Sequence, residues 1–160
     1  MSSLHAILIS VGVCSVAAAL EGICAGNNVK SYFAGLKSPA YSPPLWFWYI
    51  IGGVYYTTFG FVLYRILRHR SNSALTNVAL GVVLAMLLAN ALWNYVFFRA
   101  RNLRFALVLA FVAPLMDLVL LVCLTRLDGP AAWALIPYLI YRLYSVWWAF
   151  GVWKMNPTPA

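Results

Sequence analysis

Acidic residues are nearly absent from this sequence. Only Glu21, Asp117 and Asp128 carry a carboxylate among 160 residues, and charged residues of both signs make up 9%. A soluble domain contains about 25% charged residues, so this chain could not cover its surface in water. Three dispersed acids also cannot supply the paired carboxylates of most hydrolytic enzymes, and no nucleophile, base and acid occur in a catalytic pattern. The sequence therefore disfavours a soluble domain and an enzyme, and it assigns no catalytic residue.

Metal-binding patterns are missing as well. Cys14, Cys24 and Cys123 are odd in number, widely spaced and surrounded by apolar residues, which indicates buried free thiols rather than disulfides or zinc ligands. His5 and His69 lie on separate segments, where a structural role is favoured over axial ligation of a metalloporphyrin. The sequence predicts no metal site.

Apolar residues dominate what remains. They make up 64% of the chain, with a mean hydropathy of +0.85, and they form five continuous runs. Each run reaches the roughly 20 residues that a helix needs to cross a bilayer, and continuous runs favour helices over barrel strands. The runs cover residues 4–25, 45–67, 74–98, 103–124 and 131–153.

These runs predict an all-α integral membrane protein, a bundle of five transmembrane helices forming one domain over residues 1–160. A long loop, residues 27–43, joins the first two spans, and its prolines and aromatics suit an ordered lid. The first run is expected to be a retained helix rather than a signal peptide, because residues 1–5 contain no Lys or Arg.

Basic residues flank the spans and predict their orientation. The net charge of +8 suits an anionic membrane surface better than a nucleic acid. Six basic residues at one side against four at the other favour a cytoplasmic C-terminus. The larger group contains Lys30, Lys37, Arg99, Arg101, Arg104 and Lys154, and the smaller contains Arg65, Arg68, Arg70 and Arg126.

Two features inside the spans suggest helix contacts. Gly81, Ala85 and Ala89 form a small-residue face on the third span, which could pack within the bundle or form a homodimer. Asp117 and Arg142 lie deep in the fourth and fifth spans, where a charge requires a partner. Either the two residues pair with each other or Arg142 meets a ligand carboxylate.

Three segments together resemble the TspO/MBR family. Residues 38–46, SPAYSPPLW, are similar to its KPxWxPPxW motif, residues 90–98, NALWNYVFF, to its LNxxWxxxFF motif, and residues 137–139 to its PYL, with Asn156 matching a later Asn. The family's Trp residues are replaced here by Tyr41, Gly52 and Tyr141, which puts any porphyrin photochemistry in doubt.

The resemblance implies a five-helix bundle, often dimeric, that encloses a pocket beneath the first loop. It implies a membrane protein that binds a porphyrin or another flat lipophilic molecule such as a sterol, as carrier or sensor. An accessory subunit of a larger membrane complex is the alternative. Together with the buried-charge argument, the resemblance gives as expected ligand-binding residues Tyr41, Trp46, Tyr56, Asn90, Trp93, Phe97, Tyr138, Tyr141 and Arg142.

Overall fold

The computed structural model describes residues 1–69 and 73–157, and every regular element in these ranges is helical. Its six helices are α1 (Ser3–Ala25), α2 (Val29–Gly35), α3 (Leu45–Arg68), α4 (Ala74–Asn94), α5 (Leu103–Leu127) and α6 (Gly129–Met155). Helix α2 lies within the segment predicted as a long loop. Arg70 lies outside the described residues.

Short polar residues begin four of the long helices. The side chains of Ser2, Ser73, Asn102 and Asp128 accept hydrogen bonds from backbone N–H groups in the first turns of α1, α4, α5 and α6. These bonds satisfy donors that have no partner inside the helix. Helix α3 instead begins directly after Pro44, whose φ angle is compatible with a helix start.

Helix α4 ends in a π-helical turn, Tyr95–Arg99. Ala100 and Arg101 then connect the π turn to Asn102, which caps α5. Arg101 has a left-handed backbone conformation, with φ 54°. Because a π turn holds one residue more than an α turn, it rotates the aromatic residues at the end of α4. Phe97 thereby reaches the Trp148 ring, with centroids 5.7 Å apart.

The five long helices form a closed ring. Helix α1 packs on α3 and α4, α3 packs on α6, and α5 packs on both α4 and α6. Helices α1, α3, α5 and the α4 segment through Arg99 are long and apolar enough to cross a membrane. Helix α6 has 27 residues, but its tyrosines, tryptophans and Arg142 make it less apolar.

Two packed cores stabilise the ring at its two ends. One core joins the C-terminal half of α3 to α4, α5 and α6 around Phe59, Leu120 and Leu135. The other lies under α2 and joins the ends of α4, α5 and α6 around Phe97, Trp148 and Val152. Residues of both cores, among them Tyr138 and Trp148, also border the space inside the ring.

Candidate ligand cavity

A cavity of about 430 Å³ lies inside the ring and receives residues from all six helices. On α1 the lining is made of small side chains and one carboxylate: Ala18, Glu21, Gly22 and Ala25. The other helices supply an aromatic wall. It consists of Phe33, Trp48, Tyr49, Tyr55, Tyr56, Trp93, Phe98, Tyr138, Tyr141 and Trp148. A volume of this size with aromatic walls and few polar groups is typical of a small-molecule site.

The segment between α2 and α3 is fastened to α6 next to Trp148, one of the residues that line the cavity. The Tyr41 ring stacks on Trp147 with centroids 3.8 Å apart. Tyr144 Oη donates to the Tyr41 carbonyl at 2.9 Å, and Trp148 Nε1 donates to Ser42 Oγ at 2.8 Å.

A second attachment lies nearer the start of the same segment, at Lys37. Asn156 accepts from the Lys37 N–H at 3.0 Å and donates to the Lys37 carbonyl at 2.8 Å, so one amide satisfies both backbone groups. These contacts make the segment an ordered cover over the C-terminal half of α6, which we call the α6-anchored loop (residues 36–44).

Glu21 is the centre of a polar cluster on the cavity wall. Tyr56 Oη donates to Glu21 Oε2 at 2.5 Å, and Asn90 Nδ2 donates to the same oxygen at 2.7 Å. Asn94 Nδ2 in turn donates to the Asn90 carbonyl at 3.0 Å, which fixes the amides of α4 beside this carboxylate. Three helices thus meet at one carboxylate oxygen.

Asp117 and Arg142 form an ion pair across α5 and α6. Arg142 Nε lies 3.0 Å from Asp117 Oδ2, and the Asp117 side chain is completely buried. The Arg142 guanidinium also lies over the Tyr138 ring, 4.9 Å from its centroid. The predicted pairing of these two residues is confirmed, and Arg142 carries its own counter-ion where it lines the cavity.

Charges outside the spans stabilise the ends of the ring. Arg65 Nη2 lies 2.8 Å from Asp128 Oδ2, beside the start of α6. Burial opposes ionisation of Asp128, but hydrogen bonds from Arg65 and the Ala131 N–H hold its pKa below the usual value. At the other end, burial raises the pKa of Tyr32, although the Arg101 guanidinium over its ring opposes this shift.

The sequence as a whole matches one known family. The TspO/MBR family matches residues 10–154. The chain belongs to the TspO/MBR family. Translocator protein from Sus scrofa is 29% identical over 142 residues, which cover 86% of this chain and 84% of that protein. The Ovis aries and Homo sapiens translocator proteins are 28% and 27% identical over 126 residues, 78% of this chain and 75% of each relative.

Membership of the TspO/MBR family confirms the resemblance stated above and makes this chain a membrane protein. Its motifs now have positions in the fold. SPAYSPPLW forms the α6-anchored loop and the start of α3, NALWNYVFF forms the end of α4 with the π turn, and PYL lies in the first half of α6. All three motifs border the cavity or its cover.

The structure brings six of the nine expected binding residues of this TspO/MBR chain to the cavity, and they belong to three helices. They are Tyr56, Asn90, Trp93, Tyr138, Tyr141 and Arg142. Trp93 stacks on Phe97 with centroids 4.7 Å apart and donates from Nε1 to the Ala106 carbonyl at 3.1 Å. Its ring is therefore held at a fixed angle against the cavity.

The other three lie elsewhere. Phe97 is buried behind Trp93 and is 2% exposed. Trp46 faces outward at the start of α3 and is 61% exposed, as expected for an interfacial anchor. Tyr41 stacks on Trp147 at the outer side of α6 and holds the cover rather than lining the cavity.

Sequence reasoning missed several lining residues in the TspO/MBR cavity, including Glu21, Trp48 and Trp148. Glu21 was visible as an acid near the end of the first span, and an ionisable residue in a membrane helix indicates a functional site by default. The two tryptophans gave no such signal, because Trp is also common at membrane interfaces. His5 bonds to Ser2, His69 follows α3, and neither lines the cavity.

Proposed function

We propose that this protein binds a flat lipophilic molecule, a tetrapyrrole or a sterol-like compound, inside the helix ring and acts as its carrier or sensor. The observation that carries the proposal is the cavity of about 430 Å³ with aromatic walls and two polar positions, Glu21 and Arg142. Aromatic walls favour a planar ligand through stacking. The relatives are named translocator proteins, which favours a carrier.

We further propose that α6 crosses the membrane as a fifth span. Its 27 residues give a length of about 40 Å, which exceeds a hydrocarbon core of about 30 Å. Arg142, the most polar residue along its length, is neutralised by Asp117, and the other polar groups are mostly Tyr and Trp. Five spans put the C-terminus opposite the N-terminus, and the basic residues favour a cytoplasmic C-terminus, which a reporter fused there would test.

A homodimer through α4 is part of the same proposal. Gly81 and Ala85 are exposed, and a methyl group added at Gly81 would contact nothing in the chain within 4 Å. Ala89 lies on the same face and borders the cavity. The face is thus free for a second copy to approach closely.

Titration with protoporphyrin IX tests the ligand proposal. The purified protein in detergent should give a saturable shift of the porphyrin's own Soret band. Trp93→Ala should weaken binding by about 1–3 kcal/mol, by analogy with lost base–aromatic stacking. Trp46→Ala is the matched control, because Trp46 faces outward and its loss should leave the affinity unchanged.

Arg142→Met is a second variant for the same titration. It should also weaken porphyrin binding, because the propionates of the ligand would lose a charge-assisted hydrogen bond from Arg142. An absent Soret shift, or wild-type affinity in both Trp93→Ala and Arg142→Met, would contradict porphyrin binding. Partners that co-purify in fixed stoichiometry with a colourless protein would then favour an accessory subunit.

A further inference from the structure

Glu21 is an acid in the cavity wall that no ion pair among the described residues includes. The side chains that hydrogen-bond to this carboxylate are neutral: Tyr56, Asn90 and Asn94. Among residues 1–69 and 73–157, ion pairs join Arg65 to Asp128 and Arg142 to Asp117, and neither includes Glu21. Arg142, whose guanidinium lines the cavity, is therefore paired with Asp117 rather than with Glu21.

The donors also determine which part of Glu21 is available. Tyr56 and Asn90 converge on Oε2 at 2.5 and 2.7 Å, so they hold the carboxylate in one orientation. Both of their hydrogen bonds end on Oε2. Even with the Asn94 amide also beside the carboxyl group, Oε1 has a lone pair for a group inside the cavity. Burial favours the neutral acid at Glu21, whereas the donors on its oxygens favour the carboxylate. A cationic ligand beside Glu21 would favour the carboxylate further, because a charge at membrane depth requires a partner.

The aromatic walls around Glu21 favour the same kind of partner. Tyr55 and Tyr56 lie with ring centroids 5.0 Å apart next to Glu21, and Trp93 follows Asn90 by one helical turn on α4. Aromatic faces attract a desolvated cation through their quadrupoles. A carboxylate among such faces is the arrangement expected for a flat molecule that carries a protonated nitrogen.

We infer that the cavity selects a flat lipophilic cation, a nitrogen heterocycle or amine in its protonated form, whose N–H group donates to Glu21 Oε1. This inference rests on the proposed function, to which it adds the charge class of the ligand. A neutral porphyrin core would offer Glu21 pyrrolic N–H donors without the charge. A flat molecule whose negative charge lies next to Glu21 would bind unfavourably, unlike a porphyrin whose propionates lie at Arg142.

Three tricyclic probes of nearly equal shape test the charge preference: 9-aminoacridine as the cation, anthracene as the neutral molecule and anthracene-9-carboxylate as the anion. Binding is read from probe fluorescence at one detergent concentration. Glu21→Gln keeps the size and the acceptor oxygen but removes the charge. It should weaken 9-aminoacridine binding about tenfold or more, which is the scale of a hydrogen bond to a charged group, and change anthracene binding less than about twofold.

Two further variants separate charge from structure. Tyr56→Phe removes one donor to Glu21 but keeps the carboxylate, so it should retain the preference for 9-aminoacridine over anthracene. Asp128→Asn makes the same acid-to-amide change outside the cavity and should alter the binding of no probe. On the wild-type protein alone, 9-aminoacridine should displace bound anthracene more effectively than anthracene-9-carboxylate does.

The outcomes distinguish this inference from the proposed function. Equal weakening of all three probes by Glu21→Gln, or no change in any, would overturn the preference for a cation, and the porphyrin titration would still report on the cavity. If Tyr56→Phe lost the preference for 9-aminoacridine, that preference would depend on the hydrogen-bond cluster rather than on the Glu21 charge. This result would also overturn the inference. If neither the tricyclic probes nor protoporphyrin IX bind, both proposals fail.

Discussion

Gly151 shows how the absence of one methyl group positions the α6-anchored loop. A Cβ atom built at Gly151 would lie 2.6 Å from Pro39 Cγ and 2.6 Å from Tyr41 Oη. Carbon and oxygen atoms cannot approach so closely, so any side chain here must displace the loop. Pro39 and Tyr41 therefore pack directly against Gly151, where there is no room for a side chain.

We expect Gly151→Ala to lower the free energy of unfolding by about 1–3 kcal/mol, the usual effect of overpacking, and to loosen the loop. Trypsin should then cleave after Lys37 faster than in the wild-type protein. Gly12→Ala is the control, because a methyl group at Gly12 contacts nothing within 4 Å. Unchanged cleavage in Gly151→Ala would show that the loop has room to adjust.

Single residues also mark the limit of prediction from sequence. Six of the nine expected binding residues lie at the cavity because helical periodicity places them on inward faces. Phe97 shares a helix face with Trp93 in the sequence, but the π turn and the Trp93 ring place it in the core instead. The role of Glu21 depends on Tyr56 and Asn90 on two other helices, and no local pattern in α1 contains that information.

At the level of the helices, Asp128 connects α3 to the start of α6. It caps α6 by accepting from the Ala131 N–H at 2.9 Å and pairs with Arg65. Asp128→Ala should cost about 1–2 kcal/mol through the lost cap alone. Asp128→Asn keeps a capping oxygen and should lose only the charge interaction.

This carboxylate also gives a dependence of stability on pH. The pKa of Asp128 is lower in the folded protein than its ordinary value, so its stabilisation is complete above about pH 4. It is lost as the pH falls through the folded-state pKa. The difference in Tm between wild type and Asp128→Asn, measured in detergent, should shrink over this acidic range, and a constant difference would contradict the ion pair.

The Asp117–Arg142 pair connects α5 to α6 at the depth of the membrane. Removing one partner leaves a buried charge without compensation, which typically costs about 3–5 kcal/mol. Asp117→Asn and Arg142→Met should each lower Tm in detergent, and the double variant should lose less than the sum of the two. Additive losses would indicate that the ion pair contributes no coupling energy.

Most helix positions were available from the sequence, because long apolar runs end at prolines, Asn or charged residues. The observed helices agree with the predicted runs to within about three residues at most ends. Helix α2 and the π turn gave no signal. Helix α2 has seven residues, too few for a clear period, and a π turn differs from an α turn by a single residue.

For the whole molecule, the exposed face of α4 predicts the oligomeric state. Gly81→Leu with Ala85→Leu would fill the small-residue face with two bulky side chains and prevent close approach of a second α4. The detergent-solubilised protein should shift from dimer toward monomer, as measured by light scattering. Leu115→Ala with Val122→Ala changes exposed positions on α5 instead and should leave the mass unchanged, and an unaltered mass in the first variant would exclude this face.

The attachment of the cover to α6 has a consequence for the order of folding during synthesis. Lys37, Tyr41 and Ser42 are held by residues 144–156, more than 100 positions later in the chain. Domains are synthesised from the N-terminus, so the loop leaves the ribosome long before its attachment sites do. Until α6 has been synthesised, the loop has none of these attachment sites and the ring of helices lacks one member. The loop therefore takes its final position only when the last helix packs. A ribosome-bound chain that ends before residue 144 should leave Lys37 open to trypsin.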